Sequence, residues 1–294
     1  MKTNFFSFKK LSLIGASVFA AGVIMATVTT AQAVIVSPIQ SSADPEKLPI
    51  AGPVDVAGSD ANAAAFLLAL PSINATIKNT LPEYKALSAA TMASMALDPS
   101  SLRLAVDSSV RVYFISEGAA YRNTLGLNVL PPGSAIPTAA TPSITSKAEL
   151  VFPDASSNDP TTFYPSGNSV RTATAPLDAG DFVNLNTLRA GTLLDFFLIS
   201  NGAGGGSATF TDETARNGDA FQHIVSFTSG NYTVLSFEDS VGGGDKDFND
   251  VVIALEISPV TAAPEPGTLA GLGVFCGVIG VGRCRRAIMP KRGC

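Results

Sequence analysis

Apolar residues recur with a period close to two from about residue 100 onward, in short runs rich in β-branched and aromatic side chains. Turn-forming Gly, Pro, Asn and Asp separate these runs, and few helical patterns lie between them. Many short strands with few helices predict a mainly β domain over residues 100–258, an antiparallel β-sandwich or jelly roll. The predicted strands are residues 102–106, 110–115, 148–152, 192–200, 220–226, 232–238 and 251–257.

A helical texture precedes this domain. Residues 60–98 are rich in Ala, Leu, Met and Ile, and Asp60 or Asn62 is placed to cap a helix. Pro71 and Pro82 interrupt the pattern. Because proline breaks helices, the segment predicts a helical prefix of two or three short helices rather than one long helix.

The first residues have the pattern of a secretory signal peptide. Lysines precede a continuous apolar stretch over residues 11–26, and Ala-Gln-Ala at 31–33 supplies the small residues that signal peptidase reads. We therefore expect residues 1–33 to be removed on export, the alternative being an uncleaved N-terminal anchor. Residues 34–59 are rich in Pro, Ser, Ala and Asp and predict an extended linker.

The other end carries Ala-Pro-Glu-Pro-Gly at 263–267, an apolar run over 268–282 and an arginine cluster at 283–286. A helix of ~15 residues spans roughly 22 Å, which is shorter than the ~30 Å hydrocarbon core of a bilayer. Such a helix could cross a thinned bilayer with its arginines on the cytoplasmic side. By itself the pattern also fits an ordinary weak C-terminal anchor.

The order of Pro-Glu-Pro, short apolar span and arginine cluster over residues 263–286 resembles the PEP-CTERM sorting signal. The resemblance implies that an exosortase cleaves at the tripeptide after a transient association with the inner membrane. The protein would then reach the outer surface or extracellular matrix of a Gram-negative bacterium, in contact with exopolysaccharide or biofilm. The basic tail at 287–294 extends beyond such a signal, and its role stays open.

Charge is segregated along the 294-residue chain. All 24 Asp and Glu lie between residues 34 and 266, so the middle is much more acidic than the formal net charge of −5 indicates. This argues against nucleic acid as a partner, because phosphate binding needs a basic face, and it favours cations. The cysteines, at 276, 284 and 294, all lie in the terminal tail. The middle therefore has no disulfide, and bound metal is one candidate for another stabiliser.

The densest polar segment is residues 238–250, where five carboxylates accompany one lysine. Such closely spaced acids repel one another unless solvent or a cation screens them. Oxygen ligands suit a hard cation, and Ca²⁺ accepts six to eight of them in flexible geometry. Zinc and copper are disfavoured, because no Cys lies nearby and the single His has no partner His. The alternative is a solvated acidic turn before the last strand.

An Asp-x-Asp-x-Asn sequence at 245–249 also matches the opening of an EF-hand loop, with Glu256 at the twelfth position. The full motif is rejected because Asp250 stands where the sharp turn needs glycine. Residues 251–257 also predict a strand instead of a helix, and an extended strand would carry Glu256 about 20 Å from Asp250. The segment is better explained as a loop of oxygen donors that leads into a buried strand.

Two segments, residues 116–126 and 237–252, resemble the bacterial domain of unknown function 4114 family, which is associated with secreted calcium-dependent proteins. The resemblance spans about residues 100–258, and the acidic segment is its most specific part. It implies a Ca²⁺ site whose candidate ligands are Asp239, Asp245, Asp247, Asn249 and Asp250, with Glu117 and Glu238 as further members.

Catalytic patterns are weak. His223, the single histidine, lies among apolar residues at strand spacing, which predicts a structural histidine rather than a base. No Gly-x-Ser-x-Gly elbow occurs, and the acidic middle has no Cys nucleophile. The acids are crowded in one loop instead of facing each other across a cleft, which fits ion ligation better than glycoside hydrolysis.

These observations predict that the protein is not an enzyme but a surface or matrix protein, whose sandwich binds Ca²⁺ and contacts polysaccharide or neighbouring proteins. The alternative is a secreted hydrolase that acts on exopolysaccharide, with Glu117 and Asp239 as acid and base. A third reading is a structural matrix filler that binds no ion. The chain has no Trp and five Tyr, and this scarcity of rings argues against a glycosidase cleft or a deep lectin cleft.

Overall fold

The structure is a computed structural model that describes residues 39–82, 84–159 and 170–260. The predicted signal peptide, sorting signal and basic tail lie outside these ranges. Within them, no helix combines the length and the apolar character that crossing a membrane requires.

The described residues contain ten strands in two sheets, and every pair of neighbouring strands is antiparallel. The strands are β1 Val54–Asp55, β2 Ser108–Ser116, β3 Thr124–Leu130, β4 Ala148–Phe152, β5 Phe182–Leu188, β6 Leu193–Ile199, β7 Thr209–Thr211, β8 Ile224–Ser229, β9 Tyr232–Phe237 and β10 Val251–Pro259. One sheet has the order β1-β5-β2-β10-β9-β8, and the other has β4-β3-β6-β7. The prediction of a mainly β domain with antiparallel sheets is therefore confirmed.

The two sheets share one apolar core. Alternate residues of β2 and β10 belong to it on one side and alternate residues of β3 and β6 on the other, as the two-residue period of a strand requires. The rings of Phe114 and Phe152, one from each sheet, lie edge to face with centroids 6.1 Å apart. This layering is consistent with the predicted β-sandwich. The core residues are Val110, Val112 and Phe114 of β2, Val251, Ile253 and Leu255 of β10, Leu125 and Leu127 of β3, and Leu194, Phe196 and Leu198 of β6.

Helix α1 (Ala61–Thr80) covers the other face of the six-stranded sheet. Asp60 caps the helix by accepting a hydrogen bond from the Ala63 amide at 2.8 Å, and its carboxylate also pairs with Arg111 of β2 at 2.7 Å. The Phe66 ring stacks on Tyr113 of the sheet at 4.0 Å. Spacings of three and four place one apolar stripe toward the sheet. That stripe consists of Ala63, Phe66, Leu70, Ile73 and Ile77.

Pro71 does not divide this segment, contrary to the prediction of short helices, because α1 continues through it for 20 residues. The proline lies on the exposed side of the helix, where its ring meets solvent. Buried residues precede and follow it in the stripe, and their packing offsets the backbone hydrogen bond that proline cannot donate. A second helix, α2 (Ala89–Ser94), follows and is capped by Ser88.

Most predicted strands are confirmed, with β2, β4, β6, β9 and β10 close to their expected bounds. The strand predicted at 102–106 is wrong, because residues 99–102 form a 3-10 helix and Arg103 makes only an isolated bridge to Leu193. The strand predicted at 220–226 begins later, at Ile224, since Ala220 has a positive φ of 53°. Strands β1, β3, β5 and β7 were not predicted, and β1 lies inside the segment interpreted as a linker.

Candidate metal centre

Residues 238–250, hereafter the acidic loop, join β9 to β10 within the six-stranded sheet. The Glu238 amide donates to the His223 carbonyl at 2.9 Å, and the Asp250 amide donates to the Phe237 carbonyl at 3.2 Å. Between these ends, the Phe248 side chain is fully buried in the apolar cluster beneath α1. Backbone hydrogen bonds thus hold the loop at both ends, and the buried Phe248 side chain holds it two residues before its C-terminal end. These contacts give the acids of the loop defined positions.

Left-handed backbone folds the acidic loop back on its first residue. Gly242, Gly243 and Gly244 have positive φ values of 76°, 82° and 43°. A Cβ on Gly244 would lie 2.5 Å from Glu238 Oε1, so glycine is needed for this close approach. The turn brings Asp245 next to Glu238. The three glycines therefore shape an acid cluster.

The loop carboxylates form two groups that share Glu238. Oxygens of Glu238, Asp245 and Asp247, hereafter the outer group, lie within 4.8 Å of one another. Oxygens of Glu238, Asp239 and Asp250, hereafter the inner group, also lie within 4.8 Å. Asp245 is exposed, whereas Glu238, Asp239 and Asp247 are buried. The structure therefore brings together all five carboxylates that the sequence singled out in this loop.

Two buried oxygens of these groups have no hydrogen-bond partner among the described residues: Glu238 Oε2 and Asp247 Oδ1. Both side chains belong to residues that are 1% exposed. The second oxygen of Asp247 accepts from Asn249 Nδ2 at 2.7 Å and from the Tyr84 amide at 3.1 Å. A buried carboxylate oxygen without a donor is costly, and a bound cation is one way in which proteins satisfy it.

Asn249 and Asn123 orient the acids. The Asn249 amide group donates to Asp247, and its Oδ1 lies so near Gly118 that a Cβ there would be 2.4 Å away. Asn123 donates from Nδ2 to Asp239 Oδ2 at 2.7 Å. Asn249 stays a predicted ligand, and its amide nitrogen holds the Asp247 carboxylate in place. Asn123 was not predicted to take part in the site, although it lies in the 116–126 segment that the sequence singled out.

Glu117 lies beside the inner group rather than within it. It follows the last residue of β2, is 6% exposed and accepts a hydrogen bond from the Ser157 amide at 3.2 Å. Burial, together with the charges of Asp154, Asp250 and Asp239, raises its pKa to about 8. Its carboxylate is thus near enough to the inner group to interact with it electrostatically.

Burial and mutual repulsion raise the pKa values of the loop acids. Burial is the main cause for each, followed by the charge of the nearest neighbouring acid. The pKa of Glu238 rises to about 9, that of Asp250 to about 7 and that of Asp247 to about 6. The acids interact, so their protons leave as a group. Without a cation, their charged forms are disfavoured near neutral pH.

The metal-free protein should become less stable as the pH rises from 5 to 9. In this range the folded protein retains protons on the acidic loop that the unfolded chain, with carboxyl pKa values near their ordinary 3.8 and 4.5, has released. The free energy of unfolding therefore falls as the pH passes through the folded pKa values. Urea unfolding midpoints in chelator will measure this fall, and a midpoint that is constant or rises would contradict it. A bound cation should reduce the fall, since it replaces the protons.

His223 and Asp219 form hydrogen bonds with the backbone of the acidic loop. His223 is buried, and its Nδ1 and Nε2 contact the Glu238 carbonyl at 2.8 Å and Asp219 Oδ2 at 3.0 Å. Asp219 Oδ2 also accepts from the Gly242 amide at 2.7 Å. With both nitrogens engaged and its ring stacked on Phe210 at 3.6 Å, His223 is a structural histidine, as its apolar flanks predicted. Nothing in the sequence pattern pointed to Asp219.

The segment between α1 and α2 also contacts the acidic loop. The Leu87 amide donates to the Lys246 carbonyl at 2.8 Å, and the Tyr84 amide donates to Asp247. Lys246 itself places its ammonium group 5.4 Å from the centroid of the Phe221 ring. The helical prefix therefore packs on the site, a contact that no local pattern in the sequence predicts.

The residues present fit a hard cation. All candidate donors in the two groups are carboxylate oxygens, and the sole histidine has both nitrogens engaged in hydrogen bonds. Hard divalent cations prefer such oxygens, whereas zinc and copper prefer sites with nitrogen or sulfur. β10 begins directly after Asp250 as a strand, so the full EF-hand is excluded here, in agreement with the sequence.

Residues 188–258 match the family described as Domain of unknown function (DUF4114). The matched region begins at the end of β5 and contains β6 to β10 with the whole acidic loop. It supports the domain part of the resemblance over a shorter stretch than the expected 100–258, and residues 116–126 lie outside it. No curated protein and no solved structure matches the chain.

Proposed function

We propose that this is an exported, non-catalytic calcium-binding protein of the cell surface or extracellular matrix, built on a jelly-roll-like β-sandwich and associated with exopolysaccharide or biofilm. The observation that carries the calcium proposal is the pair of buried oxygens, Glu238 Oε2 and Asp247 Oδ1, which lack hydrogen-bond partners in the described part of the chain. Each belongs to an acid whose carboxylate lies within 4.8 Å of two other carboxylates. A cation would satisfy these oxygens and offset the repulsion at once.

Calcium fits this site better than magnesium. Calcium accepts six to eight oxygens in variable geometry, whereas magnesium demands a near-ideal octahedron and keeps several waters. The donors here range from exposed Asp245 to fully enclosed Glu238 and come from a glycine-rich turn, which favours the more tolerant ion. When bound, calcium would supply positive charge that holds the acidic loop against the sheet.

The burial of Glu117 and Asp239 supports a non-catalytic role. A glycosidase needs two carboxyl groups that face the substrate across a cleft. Glu117 is 6% exposed and Asp239 is 4% exposed, and Asp239 is further engaged by Asn123 and Ser240. Neither carboxyl group offers a polysaccharide a reachable acid or base, which disfavours the hydrolase alternative.

Calcium titration of the metal-free protein tests the proposal directly. We expect saturable binding with a Kd of about 10⁻⁴–10⁻³ M, the range of extracellular calcium-binding modules. The double variant Asp245→Asn/Asp247→Asn should lose binding at the outer group, while the variant Asp44→Asn, which alters an exposed acid outside the loop, should bind like the wild type. Absence of any binding heat, together with calcium-independent unfolding, would refute the calcium proposal.

Export rests on the two terminal patterns, with signal peptidase and an exosortase as processing partners and a transient stay at the inner membrane. If both cleavages occur, intact-mass measurement of secreted protein should find a chain that begins at Val34 and ends at or near Pro-Glu-Pro at 264–266. The cellular precursor should keep the C-terminal segment when the arginines at 283–286 are changed to alanine. A secreted protein of full mass would contradict this route.

A further inference from the structure

The division of the loop carboxylates into two groups bears on how many ions they hold. Calcium–oxygen bonds of about 2.3–2.6 Å leave two ligand atoms of one ion at most about 5 Å apart. The outer group satisfies this limit by itself, and so does the inner group, each with oxygens within 4.8 Å. The five carboxylates do not form a single such group. A single ion bound at one group would leave the two acids that belong only to the other group without a metal ion.

Each group contains an oxygen that requires a partner. These oxygens are Asp247 Oδ1, from an acid of the outer group, and Glu238 Oε2, from the acid that both groups share; both are buried and without a hydrogen-bond donor among residues 39–82, 84–159 and 170–260. Glu238 belongs to the inner group as well. In that group, Asp250 Oδ2 accepts a hydrogen bond from the Asp239 amide at 2.8 Å. One unsatisfied oxygen therefore belongs to Glu238, which the two groups share, and the other belongs to Asp247 of the outer group.

The balance of charge favours two divalent ions over one. A single ion would compensate two of the five loop carboxylates, whereas two ions would compensate four. The nearest positive side chains in the described sequence are engaged elsewhere, since Lys246 lies over the Phe221 ring and Arg216 pairs with Asp195. Four of the five carboxylates are wholly or partly buried, so a single ion would leave at least two of these either unpaired or protonated, and an unpaired buried charge is strongly destabilising.

We propose that the acidic loop holds two calcium ions bridged by Glu238, an outer ion at Asp245 and Asp247 and an inner ion at Asp239 and Asp250. This inference rests on the calcium binding proposed above and adds its stoichiometry. Exposed Asp245 places the outer ion at the surface, where it exchanges with solvent. The inner ion is enclosed by Asp239, which Asn123 holds, and lies beside Glu117. The outer ion is therefore the weaker of the two.

Equilibrium dialysis with calcium, followed by metal analysis, measures the stoichiometry of the full-length protein. We expect two ions per chain in the wild type, and one in each of Asp247→Asn and Asp239→Asn. Asp247→Asn should remove the weaker step of the calorimetric titration, and Asp239→Asn the tighter one. Glu238→Gln should lose both ions. The ion retained by each single aspartate variant also shows that the variant is folded.

The possible results separate this inference from the function on which it rests. One ion per chain in the wild type, or loss of all calcium in Asp247→Asn while the variant stays folded by circular dichroism, would overturn the two-ion site and leave calcium binding intact. No calcium in the wild type would overturn both. Asp44→Asn, with an exposed acid outside the loop, serves as the control and should retain two ions.

Discussion

Calcium should raise the melting temperature of the wild-type protein and leave that of Glu238→Gln unchanged. An ion that binds only the folded state stabilises it by about 2.7 kcal/mol at a hundred times its Kd. For a domain of this size that corresponds to a rise of roughly 5–10 °C. Glu238 contributes to both carboxylate groups, so its neutral replacement should remove the rise. Thermal unfolding with calcium and with chelator measures the difference.

The same variant should behave differently in chelator, where its melting temperature should lie close to that of the wild type. Burial holds the pKa of Glu238 at about 9, so this carboxyl is protonated in the metal-free protein near neutral pH and resembles a glutamine amide in charge. Glu238→Gln should therefore melt within a few degrees of the wild type when calcium is absent. Glu149→Gln, which alters a partly buried acid on β4, is the matched control and should retain the full calcium response. An equal rise in Glu238→Gln and wild type would show that Glu238 is not a ligand.

The acids of the site were predictable because they are adjacent in the chain. Five carboxylates within one glycine-rich loop repel one another wherever the loop lies, so the sequence alone points to a cation there. The groups that orient them could not be predicted in this way. Asn123 and Tyr84 come from segments far away in the chain, and only the antiparallel pairing of the sheet and the packing of α1 bring them to Asp239 and Asp247.

The strands that were predicted and those that were missed differ in their local pattern. Long strands such as β10 are rich in β-branched and aliphatic residues and lie in the interior of the sheet, so their sequence carries a strong signal. Strand β5 carries two Asn and a Thr among its apolar residues, which weakens that signal, and β1 and β7 have only two and three residues. Strand β3 has a glycine at 126, where a Cβ would meet the Phe197 ring at 2.1 Å. Close packing demands that glycine, yet glycine in a sequence suggests a turn.

The acidic loop and two central strands of the larger sheet form one hairpin. β9 and β10 are central strands of the larger sheet, and the acidic loop between them carries two of the four buried carboxylate oxygens that lack a hydrogen-bond partner among the described residues. Because Glu238 and Asp250 begin and end that loop within the sheet ladder, binding of a cation is coupled to the stability of the strands themselves. Calcium removal should therefore weaken the whole domain rather than only release a surface loop.

A second large effect is expected outside the acidic loop, at Arg216. Its fully buried guanidinium donates to both oxygens of Asp195 at 2.8 and 3.0 Å and to the Thr141 and Pro142 carbonyls. Among the described residues, Arg216→Met would leave the buried Asp195 carboxylate with only Asn128 as a side-chain donor, and it would also remove the positive charge 3.8 Å from the buried Asp212 carboxylate. Removing one partner of a buried ion pair costs about 3–5 kcal/mol, which lowers the melting temperature by roughly 6–20 °C.

Two further variants distinguish the cost of an unpaired Asp195 carboxylate from the cost of the lost hydrogen bonds. Arg103→Met removes an arginine that donates to the Gly191 and Ser134 carbonyls, so it loses bonds without leaving a carboxylate unpaired and should cost only about 1–3 kcal/mol. Arg216→Met/Asp195→Leu removes both charges of the pair and should recover much of the loss, because buried pairs can be replaced by apolar residues at little cost. Urea unfolding of the three proteins measures these differences. If Arg216→Met is no less stable than Arg103→Met, the buried charge on Asp195 does not dominate, and the main-chain bonds from Arg216 to residues 141 and 142 hold that loop instead.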